Sequence, residues 1–116
     1  MPALRFTAPI LAGAQVVASE RRDCKIRPTF IMVDNSLGAA DRIITLRDSY
    51  TPDVSNAVAA PAAQTPDKLT FTVVITGCES LRDELKDIEI LGDLLCYANV
   101  ADADCLITVG YEPIKE

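Results

Sequence analysis

Apolar and polar residues alternate most clearly in Lys68–Thr76, which reads Lys-Leu-Thr-Phe-Thr-Val-Val-Ile-Thr. Leu69, Phe71, Val73 and Ile75 hold one set of alternate positions, and Thr70, Thr72 and Thr76 hold the other. Successive side chains of a strand point to opposite faces, so this segment predicts a strand with an apolar inner face and a threonine outer face. Val74 alone breaks the pattern, and β-branched residues on both faces suit a pleat. The other segments are expected to be partners of this central strand.

From the amino terminus, residues 1–9 carry one charge, Arg5, and two prolines, Pro2 and Pro9. The stretch is expected to be an extended arm, laid along its own sheet or reaching a neighbouring subunit. The arm is bounded near residue 14, and residues 15–116 are expected to form one β-sandwich domain. Ile10–Ser19 predicts a strand, although its Ala-Gly-Ala centre would also start a helix. Cys24–Asp34 predicts another, bent or placed at an edge by Pro28, which cannot donate to a ladder. Asp34–Gly38 is a turn cluster, and Arg42–Ser49 a further strand. Tyr50–Asp67, with Pro52, Pro61 and Pro66 and a run of alanines, predicts a long loop, of the kind that is either a binding loop or a surface excursion.

Beyond the central strand, Ser80 with Asp83 or Glu84 resembles a capping box, and Leu81, Leu85 and Ile88 fall at helical spacing. A short helix is expected over Glu79–Lys86. Strands follow at Ile88–Leu91 and Asp93–Asn99, then a turn at 101–104. Cys105–Glu112 closes the chain with Cys105, Ile107, Val109 and Tyr111 on one side. No strand–helix alternation is present. The expected fold is therefore all-β: an antiparallel β-sandwich or jelly roll of six to eight short strands with one short helix.

Composition narrows the function. At 116 residues the chain has room for one core. Hydrophobic residues make up 49%, aromatics only 5%, and Trp is absent, so the core must be aliphatic. A mean hydropathy of +0.19 is high for a small domain, and suggests apolar surface covered by another subunit. The net charge is −6, and the densest basic pair is Arg21-Arg22. Nucleic acid and anionic membrane surfaces are disfavoured as partners. No leader-like segment opens the chain and no apolar run reaches membrane-spanning length, so a cytoplasmic setting is the default outside a virion.

Candidate chemistry is sparse. The chain has no His, no Gly-x-Ser-x-Gly elbow, no P-loop and no dinucleotide fingerprint. A sugar cleft wants aromatic platforms, and the tyrosines are only Tyr50, Tyr97 and Tyr111. Asp102 and Asp104, with Asp93, were they brought together, would offer oxygens to Ca²⁺, but the EF-hand spacing is absent. Cys24, Cys78, Cys96 and Cys105 form no Cys-x-x-Cys pair and are expected to be free thiols. A Cys96–Cys105 bridge stays open as an alternative. No catalytic residue, cofactor or metal is expected.

Two readings of different class follow. One is a monomeric binding module for a protein or carbohydrate. The other is a structural protein that works by association. The extended arm, Ile-Arg-Pro-Thr-Phe-Ile-Met-Val at 26–33, Ile-Thr-Leu-Arg-Asp-Ser at 44–49 and the closing Leu-Ile-Thr-Val-Gly-Tyr-Glu at 106–112 resemble, in overall style, the small β-sandwich virion proteins of tailed bacteriophages that decorate capsids. The resemblance spans most of the chain and carries no diagnostic motif. It implies a homotrimer on a lattice of major capsid protein at the virion surface, with the arm in contact. The candidate interface is Leu4, Phe6, Ile10, Leu11 and Val58.

Overall fold

A computed structural model describes residues 4–21, 24–51 and 63–115. They form eight strands: β1 (Leu4–Ile10), β2 (Gln15–Ala18), β3 (Cys24–Asp34), β4 (Arg42–Ser49), β5 (Asp67–Val73), β6 (Cys78–Leu81), β7 (Asp93–Ala98) and β8 (Asp102–Lys115). A single 3-10 turn, Asp83–Leu85, lies between β6 and β7. One sheet has the order β1-β8-β3-β6 and the other β2-β7-β4-β5. Every pairing is antiparallel.

The strand pairs nest. β1 lies beside β8, β2 beside β7, β3 beside β6 and β4 beside β5. A long hairpin rolled across two facing sheets gives this order, which is the jelly-roll arrangement. The all-β expectation therefore holds.

The core lies between the sheets and is almost wholly aliphatic. Ile26, Ile31, Val33, Ile107 and Val109 of the first sheet face Ile44, Leu46, Val73, Leu94 and Ala98 of the second. Leu85 and Ile90, both fully buried, close one margin. In β3 the inward positions run Ile26, Pro28, then Ile31, Val33. The extra residue is absorbed by a register shift between Pro28 and Phe30, so a bulge returns the apolar set to the core side. Pro28 thus bends an interior strand.

Several local expectations change. β5 has the predicted two faces as far as Val73, with Val73 buried and Thr70 and Thr72 exposed, but it ends there, leaves Ile75 exposed in a turn, and is an edge strand of its sheet. Its alternation is legible because an edge strand of a half-wet sheet needs one polar face. The helix expected over Glu79–Lys86 is replaced by β6 and the 3-10 turn. Leu81 and Ser80 pair with Ile31 and Met32, which commits Ser80 to a strand, and no side chain caps the turn. Ile88–Leu91 contributes only a bridge, in which Ile90 and Ile26 exchange main-chain bonds of 2.9 and 3.0 Å. The turn expected at 101–104 is instead the start of β8. The tip of the long 50–67 loop lies outside the described residues; its stem is held by reciprocal Tyr50–Gln64 main-chain bonds.

Candidate association surface

From Leu4 onward the amino-terminal arm lies along its own sheet as β1, with Leu4 opposite Tyr111 and Phe6 opposite Val109. Alternation then decides what each interface candidate does. Ile10 is buried, and Leu4 and Phe6 are half-buried, Phe6 packing on the core. Leu11 is exposed. Val58 lies outside the described residues. The four described candidates are thus divided between the core, the half-buried positions of β1 and the exposed surface at Leu11.

A different surface is gathered, on the outer face of the first sheet. Register sets Thr7, Thr108, Met32 and Ser80 in one row across β1, β8, β3 and β6. Pro9, Leu106, Asp34 and Cys78 form the next row. Met32 is 50% exposed and Leu106 42%. They floor an open hollow of about 350 Å³, with Thr7, Thr108, Ser80, Asp34, Cys78 and Glu79 around it. The Thr7 and Thr108 hydroxyls lie 3.1 Å apart. Asp34 accepts from the Ser36 N–H at 3.0 Å and from the Cys78 thiol at 3.4 Å. The bonds at Ser36 hold the Asp34 carboxyl below the usual range, while the nearby carboxylate pushes the Cys78 thiol up. A thiol held protonated is a poor nucleophile.

One end of this face is closed by an aromatic clamp. Phe30 lies over Gly110, where a Cβ would strike its ring. The Arg5 and Arg82 guanidinium carbons stand 5.7 and 5.1 Å from the ring centroid. Phe30 is left 7% exposed on the solvent side of the sheet, so it offers no open platform for stacking a ligand. On the second sheet's outer face, Tyr97 is covered in the same way. Arg47 stacks 4.4 Å from its ring centroid, and Asp67 accepts from Tyr97 Oη and Arg47 Nε, both at 2.9 Å.

Several acidic groups have structural partners. Asp48 is fully buried, and its carboxylate accepts the Leu91 and Gly92 N–H groups at 2.9 and 3.0 Å. Asp102 accepts from Arg42 and from the Asp104 N–H, whereas Asp93, at the far end of β7, accepts from the Glu20 N–H. The three aspartates considered for Ca²⁺ are thus not brought together. Among the described residues no group of three or more His, Cys, Asp or Glu side chains is placed to hold a metal ion. All four cysteines are free; Cys96 and Cys105 are buried on opposite sheets, and burial pushes the Cys96 thiol up to about 11.

Sequence reasoning missed one basic cluster. Lys25, Arg27, Lys86 and Lys115 border a hollow at the other end of the first sheet. Lys25 pairs with Glu89 at 2.8 Å and Arg27 with Glu112 at 2.7 Å. Lys25 and Arg27 are near neighbours on β3, but Lys115 joins them only through the β3–β8 register, and Lys86 comes from the segment after the 3-10 turn. No helix among the described residues is long and apolar enough to cross a membrane. Comparison of the chain with known protein families, curated proteins and solved structures finds no match.

Proposed function

We propose that the protein is a non-enzymatic structural protein that works by self-association and by binding a protein surface, with a capsid lattice at a virion surface as its setting. The observation that carries the reading is the trough on the outer face of the first sheet. Its floor is exposed Met32 and Leu106, and its polar rim is largely tied up in internal hydrogen bonds. Such a surface offers apolar contact area and few groups for a reaction.

The fold is consistent with this setting but does not select it. Jelly rolls serve as capsid proteins, lectins and cupins, and function has to be argued from the site. A lectin reading loses Phe30 and Tyr97 as stacking platforms, since both rings lie under arginines. A metal-centred reading lacks imidazole, the commonest metal ligand, because the chain has no His. The phage resemblance rests on the style of the sequence, and the trough supplies a physical surface for it.

The test is fractionation of lysates from cultures that carry the gene, followed by immunoblotting across a density gradient. The protein should band with particles at virion density in many copies per particle. A Met32→Asp/Leu106→Asp variant that folds should be lost from that band. Wild-type protein confined to the soluble fractions would sink the lattice reading.

A further inference from the structure

Four strands lie at sheet edges, and three of them carry features that discourage pairing with another chain. β1 has Arg5, Pro9 and a register shift at Pro9/Ile10. β2 and β6 are four residues long. Short length, proline, charge and bulges are the usual devices that blunt an edge. β5 confines its charges, Asp67 and Lys68, and its register shift, which skips Lys68, to its start, and Leu69–Val73 is a regular, uncharged run of Leu, Thr, Phe, Thr and Val. No described strand lies on its outer side.

We propose that this edge pairs antiparallel with β5 of a second copy about a two-fold axis at Phe71, joining the two β2-β7-β4-β5 sheets into one. The inference rests on the reading of the protein as one that acts by association, and names a contact through which copies join.

Hydrogen-bond direction requires the axis to pass through a residue, and pairing the uncharged run Leu69–Val73 with itself places that axis at Phe71. In an antiparallel sheet the main-chain groups of alternate residues turn to opposite sides of the strand. The Asn99 N–H donates to Ile43 O, and the Asp48 N–H donates to Pro66 O. Ile43 therefore faces β7, and Ile44 and Leu46, in step with Asp48, face β5. Their register partners Phe71 and Leu69 turn their main-chain groups inward to β4. Thr70 and Thr72 turn theirs to the open edge. With the axis at Phe71, Thr70 lies opposite the partner's Thr72 and each pair exchanges both bonds. Moving the axis between two residues would set threonine opposite Phe71 and inward-turned groups against outward ones.

The side chains agree with this register. On the outer face, the threonine pairs extend the hydroxyl contact already present between Thr45 and Thr70 at 3.2 Å. On the inner face, Leu69 meets the partner's Val73. Val74, 54% exposed, meets the aliphatic stem of the partner's Lys68. The two Lys68 ammonium groups stay apart, because each lies opposite Val74. The resulting pair is two-fold, where the phage resemblance implies three-fold.

Light scattering after size exclusion tests it across a concentration series, with reductant present. Wild type is expected to reach twice the monomer mass. Thr70→Lys/Thr72→Lys sets like charges opposite each other and should shift the dissociation constant at least tenfold weaker. Thr70→Lys/Thr72→Glu sets opposite charges together and should keep the dimer. Thr72→Pro removes an edge-facing N–H and no bond to β4, so the monomer should fold while the dimer is lost. Matching far-ultraviolet spectra and melting curves exclude misfolding as the cause. A wild-type monomer or trimer, or a dimer that both lysines leave intact, would overturn the proposal. Wild-type protein that is monomeric yet bands with particles would overturn the edge contact alone and leave the lattice reading standing.

Discussion

At the scale of single residues, two buried polar side chains do the joining that the aliphatic core cannot. Asn35 is fully buried at the end of β3; its amide donates to Ala40 O at 3.0 Å and Val74 O at 3.1 Å. Asp48 holds the turn at 91–92 against β4. Removing a carboxylate that satisfies two amides leaves both donors without a partner, and each orphan costs about 1–3 kcal/mol. Asp48→Ala should therefore lower the urea midpoint sharply, whereas Asp41→Ala, on an exposed turn, should lower it far less. The cysteines give a second check at this scale. Disulfide-exchange labelling of native protein should reach exposed Cys78 and leave Cys96 and Cys105 unlabelled until unfolding. Asp34→Asn removes the charge that keeps the Cys78 thiol protonated, so Cys78 labelling should quicken severalfold near neutral pH.

At the scale of elements, β1 and the β3–β8 contact matter most. β1 places Phe6 and Ile10 against the core and covers one edge of β8. Deleting residues 1–9 should thus lower stability as well as any assembly, by several kcal/mol, read by denaturant titration. An arm that only reached a neighbour would leave the monomer's stability unchanged. Phe71→Ala should cost less than the about 3–5 kcal/mol of a fully buried Phe, because Phe71 is half-exposed on an edge strand. Gly110→Ala should cost about 1–3 kcal/mol through overpacking against Phe30, and should free that ring from its arginines. The strands were legible where alternation is local: β4 runs Arg42–Ser49 and β3 Cys24–Asp34, as the pattern predicts. The helix at 79–86 was misread because Leu81, Leu85 and Ile88 keep helical spacing while packing on β3 and the core margin from a strand, a 3-10 turn and a loop. The trough was illegible for a different reason. Met32, Leu106 and Cys78 come from three strands, and only the register brings them together.

At the scale of the whole molecule, ion pairs lie across and along the sheets, and their protonation sets an acid limit. Arg42 on β4 reaches Asp102 on β8 at 2.9 Å, with both side chains nearly nine-tenths covered, and so links one sheet to the other. The Asp104 N–H, and next Arg42, hold the Asp102 carboxyl below its ordinary range. Arg47 does the same to Asp67, Lys25 to Glu89 and the Ser36 bonds to Asp34. A carboxyl depressed in the folded state binds fewer protons there than in the unfolded chain. Its contribution is thus present above the unfolded pKa and is lost as pH falls through the folded one. The urea midpoint should be nearly flat between about pH 6 and 8, then fall as the solution enters and passes the carboxylate range. Asp102→Asn should lower the midpoint at neutral pH and make its acid decline shallower, because one linked group has been removed. A wild-type midpoint that rose on acidification would mean that these pairs do not stabilise the fold.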